Sequence, residues 1–434
     1  MRLPARTCRT LALVLLAAAI APARARASGY AIFEQGASAI GRAGAVTASI
    51  HDASAVFYNP ANLVTLARSE AYGGVTLLQP VTSFAGWNPY PGYGVTEEME
   101  RQSFFPPAVY VAQKLGARAA WGAGINAPFG LGVEWKDPDQ FTGRYIVTKA
   151  DLKTVNGAVT GALAVNDSWS VAAGVNALFS RVELNSRQMA VIPGGGGAQT
   201  DVAKNKLSSD YTPGYGWTLA TSFRPNAKWS LGAYYRSKVV THVEGDAAFQ
   251  QVLTVSAAFD AGVASQLPPN QRVKTVLRFP AMWSGAASWQ PMEAWTVEAD
   301  VNFVEWSLFR DLPIYLQTTP SRSRTIVENY DDSFQIRVGA EHRLPAFTYR
   351  FGYYFDDAAA PAESVSPLLP DAGRNGATLG LGLAFGTEKR WSLDLYELAL
   401  FVRHRTTEGV NRDGFDGEYK SYVNAAGASL AYRW

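Results

Sequence analysis

The sequence predicts an all-β protein: a 14-stranded antiparallel transmembrane β-barrel with a plug made from its own N-terminal segment. Three observations point there. The chain opens with an export leader. Nothing after the leader is apolar enough to cross a membrane as a helix. Most of the remaining chain alternates, residue by residue, between apolar and small or polar side chains.

The leader comes first. Arg2, Arg6 and Arg9 precede the apolar run 11–20, and Ala25-Arg26-Ala27 supplies a small-x-small cleavage site. Residues 1–27 therefore read as a signal peptide and Ser28 as the mature start, with cleavage after Ala25 as the alternative. Removing five arginines and no acids takes the net charge from +2 to −3. The basic balance thus gives no reason to expect nucleic acid. Cys8, the only cysteine, leaves with the leader, so no disulfide is expected.

Residues 28–66 are rich in Ala, Gly and Ser, and Pro60 interrupts any long helix. The segment reads as irregular structure with one short helix. Two placements fit: a plug inside a barrel, or an arm lying on a surface.

No later stretch holds eighteen consecutive apolar residues, yet the chain carries 12 Trp, 20 Tyr and 21 Phe. Strands show why. Trp169, Val171, Ala173, Val175, Ala177 and Phe179 alternate with Ser170, Ala172, Gly174, Asn176 and Leu178. Successive side chains of a strand face opposite ways, so one set meets lipid and the other a lumen. The pattern recurs in about fourteen segments: 68–80, 104–115, 118–134, 150–165, 168–185, 211–224, 228–244, 273–289, 293–317, 332–344, 346–356, 373–386, 389–404 and 418–434. Tight connections such as Gly116-Ala117 and Asn166-Asp167 alternate with long ones such as 186–210 and 245–272. A soluble secreted β-protein shares the alternation, but not this sorting of loops onto two ends. The final strand ends on Trp434, which reads either as an ordinary strand end or as a signal for the outer-membrane assembly machinery.

Several stretches break the pattern. Strand three runs into Asn126-Ala127-Pro128-Phe129-Gly130, and a mid-strand proline implies a kink or a gap in a closed wall. The four glycines at 194–197 suggest a loop without phosphate-binding chemistry. Loop 245–272 has apolar spacings of an amphipathic helix, which either packs on the rim or forms a greasy groove. Glu298, Asp300, Arg236, Lys238, Arg337, Glu341, Arg350 and Asp356 are expected to face the lumen and pair across it or with the plug, Arg42 with an acid for example. The four histidines are scattered without metal spacing, and no nucleophile elbow is present, so neither metal nor cofactor is expected.

With these residues in view, the chain resembles the long-chain fatty-acid transporter family of outer-membrane proteins (FadL-like), which includes aromatic-hydrocarbon channels. The resemblance rests on Glu34, Gly41-Arg42-Ala43, Asp52-Ala53, Asn59-Pro60-Ala61, Trp121-Gly122-Ala123, Phe129-Gly130-Leu131, Tyr235-Arg236-Ser237, Pro280-Ala281-Met282-Trp283, Trp306-Ser307-Leu308-Phe309 and Phe355-Asp356-Asp357. It implies a monomeric barrel with an N-terminal hatch, embedded among outer-membrane lipid and lipopolysaccharide. It further implies a hydrophobic ligand and sideways release at the strand-three kink. By the resemblance, ligand-binding candidates are Tyr30, Phe129, Arg187, Arg236 and Arg310. Hatch or gate candidates are Arg42, Asp52, Asn59, Pro60 and Ala61, and kink candidates are Asn126, Ala127, Pro128 and Gly130. The family's basic head-group positions align with Ser186 and Pro313, which favours an uncharged hydrocarbon. A general diffusion porin and, more remotely, an outer-membrane hydrolase are the competing readings.

Overall fold

The computed structural model describes residues 29–192 and 199–434. The leader and the four glycines at 194–197 lie outside the described residues.

Fourteen antiparallel strands close into a cylinder. They are β1 (Glu70–Gly86), β2 (Pro107–Lys114), β3 (Ala119–Asn126 and Gly130–Glu134), β4 (Lys149–Ala164) and β5 (Trp169–Val191). Then come β6 (Gln199–Ser209 and Thr212–Asn226), β7 (Trp229–Arg236 and Val239–Gln251), β8 (Gln271–Phe279 and Met282–Met292) and β9 (Trp295–Val304, resumed at Asp311–Leu316). The last are β10 (Ser333–Arg343), β11 (Thr348–Asp356), β12 (Arg374–Phe385), β13 (Trp391–Val402) and β14 (Gly417–Arg433). Each pairs with its sequence neighbours, and β14 returns to β1, with Glu70 opposite Arg433 and Gly86 opposite Gly417. Closure leaves no edge to solvate, the condition for spanning lipid with strands.

The alternation sorts as expected. Trp169, Val175, Phe179, Phe351, Tyr353, Leu379 and Phe385 are exposed on the outer wall, while Ala172, Asn176, Arg350 and Thr378 are buried inside. The barrel begins and ends at the same rim, Glu70 beside Arg433, and the tight turns lie there too. Gly116, at a φ of +94°, supplies the left-handed residue one such turn needs.

Four expectations need correction. The predicted loop 186–210 is largely strand, because β5 and β6 extend as a ribbon past the barrel rim. In the predicted loop 245–272 a helix does form (Ala257–Gln266), but Phe249 belongs to β7, and Leu253 and Val255 precede the helix as exposed residues. The segment 293–317 is not continuous: a 3-10 turn, Trp306–Leu308, interrupts it. Lys238 faces outward. A break at Ser237-Lys238 switches β7 from even to odd positions inside, since one extra residue flips every later side chain.

Residues 29–66 run inside the cylinder. α1 (Ala37–Ile40) and α2 (Ala55–Tyr58) are single turns, followed by the 3-10 turn Pro60–Thr65. Pro60 occupies its first position, where a missing N–H costs nothing, and the Asn59 side chain accepts the Ala61 N–H at 3.0 Å. Wall side chains hold this backbone from several directions. Asp300 accepts the N–H groups of Val46 (3.1 Å) and Thr47 (3.0 Å), and Glu298 accepts that of Ala48 at 2.6 Å. Arg337 donates to the Ala43 carbonyl at 2.8 Å, Thr378 to Gly41 at 3.2 Å and Ser170 to Ala61 at 2.8 Å. Arg42 is fully buried but meets no carboxylate in an ion pair among the described residues. Its guanidinium donates to Ser49 Oγ at 3.0 Å instead. The inward charges pair on the wall: Arg350 bridges Glu341 (2.7 Å) and Asp394 (2.6 Å).

Glycines on the wall give the inner backbone its room. A Cβ on Gly339 would stand 2.3 Å from the Arg42 carbonyl oxygen, and one on Gly352 2.6 Å from the Arg42 carbonyl carbon. Outward Gly157 and Gly161 meet nothing within 4 Å. Gly339→Val is therefore expected to cost the inner segment about 1–3 kcal/mol through overpacking. Trypsin cleavage after Arg42 should rise roughly tenfold, a factor equal to about 1.4 kcal/mol. Gly157→Val should leave it unchanged.

Candidate functional site

The site arises from one failed pairing. β2 and β3 pair from Lys114 opposite Ala120 up to Ala108 opposite Asn126, and there the ladder stops. Continuing that register would set Pro107 against Ala127 and Pro106 against Pro128. Proline has no N–H to donate, so the ladder cannot go on. Above the break, Gly130–Glu134 pairs with β4, Gly130 opposite Lys153 and Glu134 opposite Lys149, and no longer with β2; at its far end the Glu134 carbonyl accepts the Glu100 N–H at 2.7 Å.

Backbone groups stranded in a wall must find other partners. Here the inner segment supplies most of them. The Gln35 side chain donates to the Ala127 carbonyl at 2.8 Å and accepts the Ala127 N–H at 3.4 Å. The Ile32 N–H reaches the Pro128 carbonyl at 2.8 Å, and the Gly130 N–H reaches the Tyr30 carbonyl at 3.0 Å. From β4, Thr154 Oγ1 accepts the Phe129 N–H at 3.2 Å and donates to its carbonyl at 2.5 Å. Residues 30–35 thus stand in for the strand that the prolines remove.

Around this graft sits an aromatic cage. Tyr30 meets Trp306 (4.7 Å between ring centres), Phe309 (5.5 Å), Phe129 (6.1 Å) and Phe279 (6.4 Å), mostly edge to face. The turn that interrupts β9 is what brings Trp306 inward, where it is fully buried. Burial pushes the Tyr30 phenol up, so it stays neutral, and pushes the nearby Glu328 carboxyl up to about 8. The cage therefore carries little charge at neutral pH.

Beside it lies a cavity of about 420 Å³. Its walls are largely apolar: Ile32 and Phe33, Leu78, Phe104, Leu131, Leu152, Leu398 and Leu400. Arg337, Asp356 and Arg374 form a polar end, with Arg374 donating to the Gly29 carbonyl at 3.0 Å. Glu34 also lines it, its carboxyl raised by burial and drawn back by Arg337. The lining does not stop at the inner face. Through Ala127, Phe129 and Gly130 it reaches Phe105 and Tyr211, both exposed on the outer surface.

Of the candidate ligand residues, Tyr30 and Phe129 meet in this cavity. Arg236 does not line it: its guanidinium lies over the Phe57 ring at 4.2 Å and donates to the Phe57 carbonyl at 2.7 Å, anchoring α2. Arg310 is exposed, bonded to the Ser307 carbonyl at 3.3 Å. Arg187 lies in a second cavity of about 420 Å³ near the long loops and is paired with Asp139 at 2.7 Å. That cavity also holds Ser186, Leu184, Phe249, Ile314 and Leu316, with Arg322 and Arg324 at its rim. Asp52 stitches the inner segment together, accepting Ser54 N–H at 2.9 Å and the Ser38 hydroxyl. Asn59 donates to the carbonyls of Thr47 (2.7 Å) and Thr221 (3.1 Å). Sequence reasoning does not single out Gln35, Phe279, Trp306 or Phe309 as site residues. The word Trp306-Ser307-Leu308-Phe309 carries part of that signal, whereas Gln35 offers none.

A lipid-faced barrel with a filled lumen and an apolar cavity reaching its wall is an outer-membrane protein of the transport class. The chain belongs to the family described as Outer membrane protein transport protein (OMPP1/FadL/TodX), whose model matches residues 17–434. It is a transport protein of the bacterial outer membrane, and not an enzyme. It is 22% identical to a long-chain fatty acid transport protein of Escherichia coli O6:H1, over 98% of this chain and 99% of that one. It is 25% identical to a 47 kDa outer membrane protein of Pasteurella multocida, over 98% of both. Its fold is similar to that of a Pseudomonas aeruginosa FadL homologue (TM-score 0.82, 21% identity, 94% of this chain and 100% of that one). It is also similar to that of the P. putida toluene transporter TodX (TM-score 0.73, 16% identity, 94% and 99%).

Gln35→Ala removes both partners of Ala127. An unpaired buried backbone group costs about 1–3 kcal/mol. Amide hydrogen exchange across residues 126–130 is expected to speed up about tenfold or more, with β10 to β13 unchanged.

Proposed function

We propose that this protein takes up hydrophobic compounds passively and releases them sideways through its wall at the β3 break. The observation that carries the proposal is that one cavity begins at Tyr30, passes Ala127 and Phe129, and reaches outward Phe105. An apolar solute taking this path never re-enters water. Residues 28–66 act as a hatch over 67–434, and only its first part, 29–35, serves as the gate. Residues 41–62 stay held by Asp300, Glu298, Arg337 and Asn59.

The substrate class is long-chain fatty acids or aromatic hydrocarbons, as the names of the relatives suggest. One feature favours the acids. Arg322 and Arg324 rim the second cavity, whose wall is about half apolar, and among the described residues neither makes an ion pair. A carboxylate head suits such guanidinium groups. This moderates the expectation from Ser186 and Pro313, which favoured an uncharged solute.

Two experiments test the reading. Replacing residues 127–129 by Thr-Val-Thr, a regular alternating strand, is expected to abolish uptake of a labelled fatty acid by whole cells. Undiminished uptake would remove the sideways route. Liposomes carrying the unaltered protein should not swell in small sugars, whereas a general porin would let them swell. Separately, Arg322→Ala with Arg324→Ala should weaken binding of a fluorescent fatty acid roughly tenfold, the loss of about one charge-assisted hydrogen bond. Binding of an alkylbenzene should not change.

A further inference from the structure

The outer wall carries many of its charges in opposite-sign pairs across strands, but two rungs of the β4–β5 ladder pair like with like. Near the long-loop end, Glu134 faces Lys149 at 3.0 Å, Glu244 faces Lys274 at 2.7 Å and Asp246 faces Arg272 at 2.9 Å. On β4 and β5, however, Asp151 stands opposite Glu183, and the next outward rung sets two cations together, with Lys153 directly opposite Arg181. Both are exposed on the outside. Like charges opposite one another destabilise a ladder. The acids have cations of their own, Asp151 bonding Lys153 on its own strand at 2.8 Å and Glu183 meeting Lys206 at 3.6 Å, whereas Arg181 makes no ion pair among the described residues, although exposed Asp210 is near it in the fold.

Their depth says what fits there. Outward positions on β5 are apolar or small from Trp169 to Phe179, and Arg181 is the next. Ten residues at about 3.3 Å each, tilted by about 40°, cover about 25 Å, the height of a barrel's apolar band. Arg181 and Lys153 are therefore the first charges above the hydrocarbon, level with lipid headgroups. Phe179 and Tyr211 lie beside them, exposed to lipid.

We propose that Lys153 and Arg181 form a binding site for the phosphate of an outer-leaflet lipid headgroup. A phosphate between them turns a repulsion into two charge-assisted contacts, and the guanidinium can bind it through two parallel N–H groups. Three ammonium donors let Lys153 keep Asp151 and still reach the phosphate. The acyl chains of the same lipid lie along Val155 and Val175 below. Because Lys153 and Tyr211 also line the outer end of the cavity, the bound lipid borders the opening at β3.

The test uses the full chain purified in a neutral detergent and titrated with lipid A, a bis-phosphorylated glycolipid, under native mass spectrometry. The double variant Lys153→Gln, Arg181→Gln should retain the lipid about tenfold more weakly than the unaltered protein. The variant Arg272→Gln, Lys274→Gln, which removes cations already paired, should match the unaltered protein. Dephosphorylated lipid A should bind both forms as weakly as the double variant binds lipid A, and inorganic phosphate in excess should not displace it. Equal retention by the double variant overturns the site. So does equal binding of the dephosphorylated lipid. Displacement by inorganic phosphate would make it an anion site and not a lipid site, which also overturns the proposal. None of these readouts depends on uptake.

Discussion

Inside a bilayer no backbone N–H or carbonyl can be left without a partner, and this one constraint governs the whole molecule. Most of the wall meets it by pairing each strand with its neighbours around the cylinder. β3 cannot, because Pro106 and Pro128 would face each other and neither donates. The deficit is met from within by Tyr30, Ile32 and Gln35, and from β4 by Thr154. The break in the wall and the start of the inner segment therefore depend on each other. Neither is stable in this form without its partner.

The rest of the inner segment is fixed by different chemistry. Wall glycines at 339 and 352 let its backbone approach within contact distance, and carboxylates at 298 and 300 accept three consecutive N–H groups at 46–48. These contacts come from β9, β10 and β11, on strands distant from the break. The inner segment is thus anchored firmly along its middle and grafted onto a defective strand at its beginning. A pull on the graft need not disturb the anchor.

Much of the barrel is legible in the sequence because a period of two, repeated strand after strand, survives local noise. Trp169 to Phe179 and Leu379 to Phe385 fall on the outside as their alternation demands. Where the reading fails, the reasons are local. Alternation alone places Lys238 inward, because a single-residue irregularity at Ser237 leaves no trace in composition yet inverts the faces beyond it. Charge balance suggests an acid for Arg42, but a buried guanidinium bonded to Ser49 has no sequence signature. The break at Pro128 is readable, and Tyr30 and Phe129 come through the resemblance. Gln35 is not readable, since its partners are main-chain atoms that any residue carries.

If residues 30–35 act as the gate proposed above, energetic scale explains why an apolar solute can work it. Freeing residues 30–35 strands a handful of backbone groups, each costing about 1–3 kcal/mol if nothing replaces the bond. Water entering the cavity could satisfy some of them, so the net cost is smaller than the sum. A ring-sized apolar group buries about 150–250 Å², worth about 4–6 kcal/mol at about 25 cal/mol per Å². The two quantities are of the same order. A polar solute of equal size gains no such burial and leaves its own groups unpaired against Leu78, Leu152 and Leu398. On that reading the cavity selects by the same imbalance that would open it: only a solute that prefers the wall to water offsets the loss of the graft. For a solute bound there, the proposed exit outward past Phe105 leads to an apolar phase, whereas a path below would have to pass the anchored middle of the inner segment.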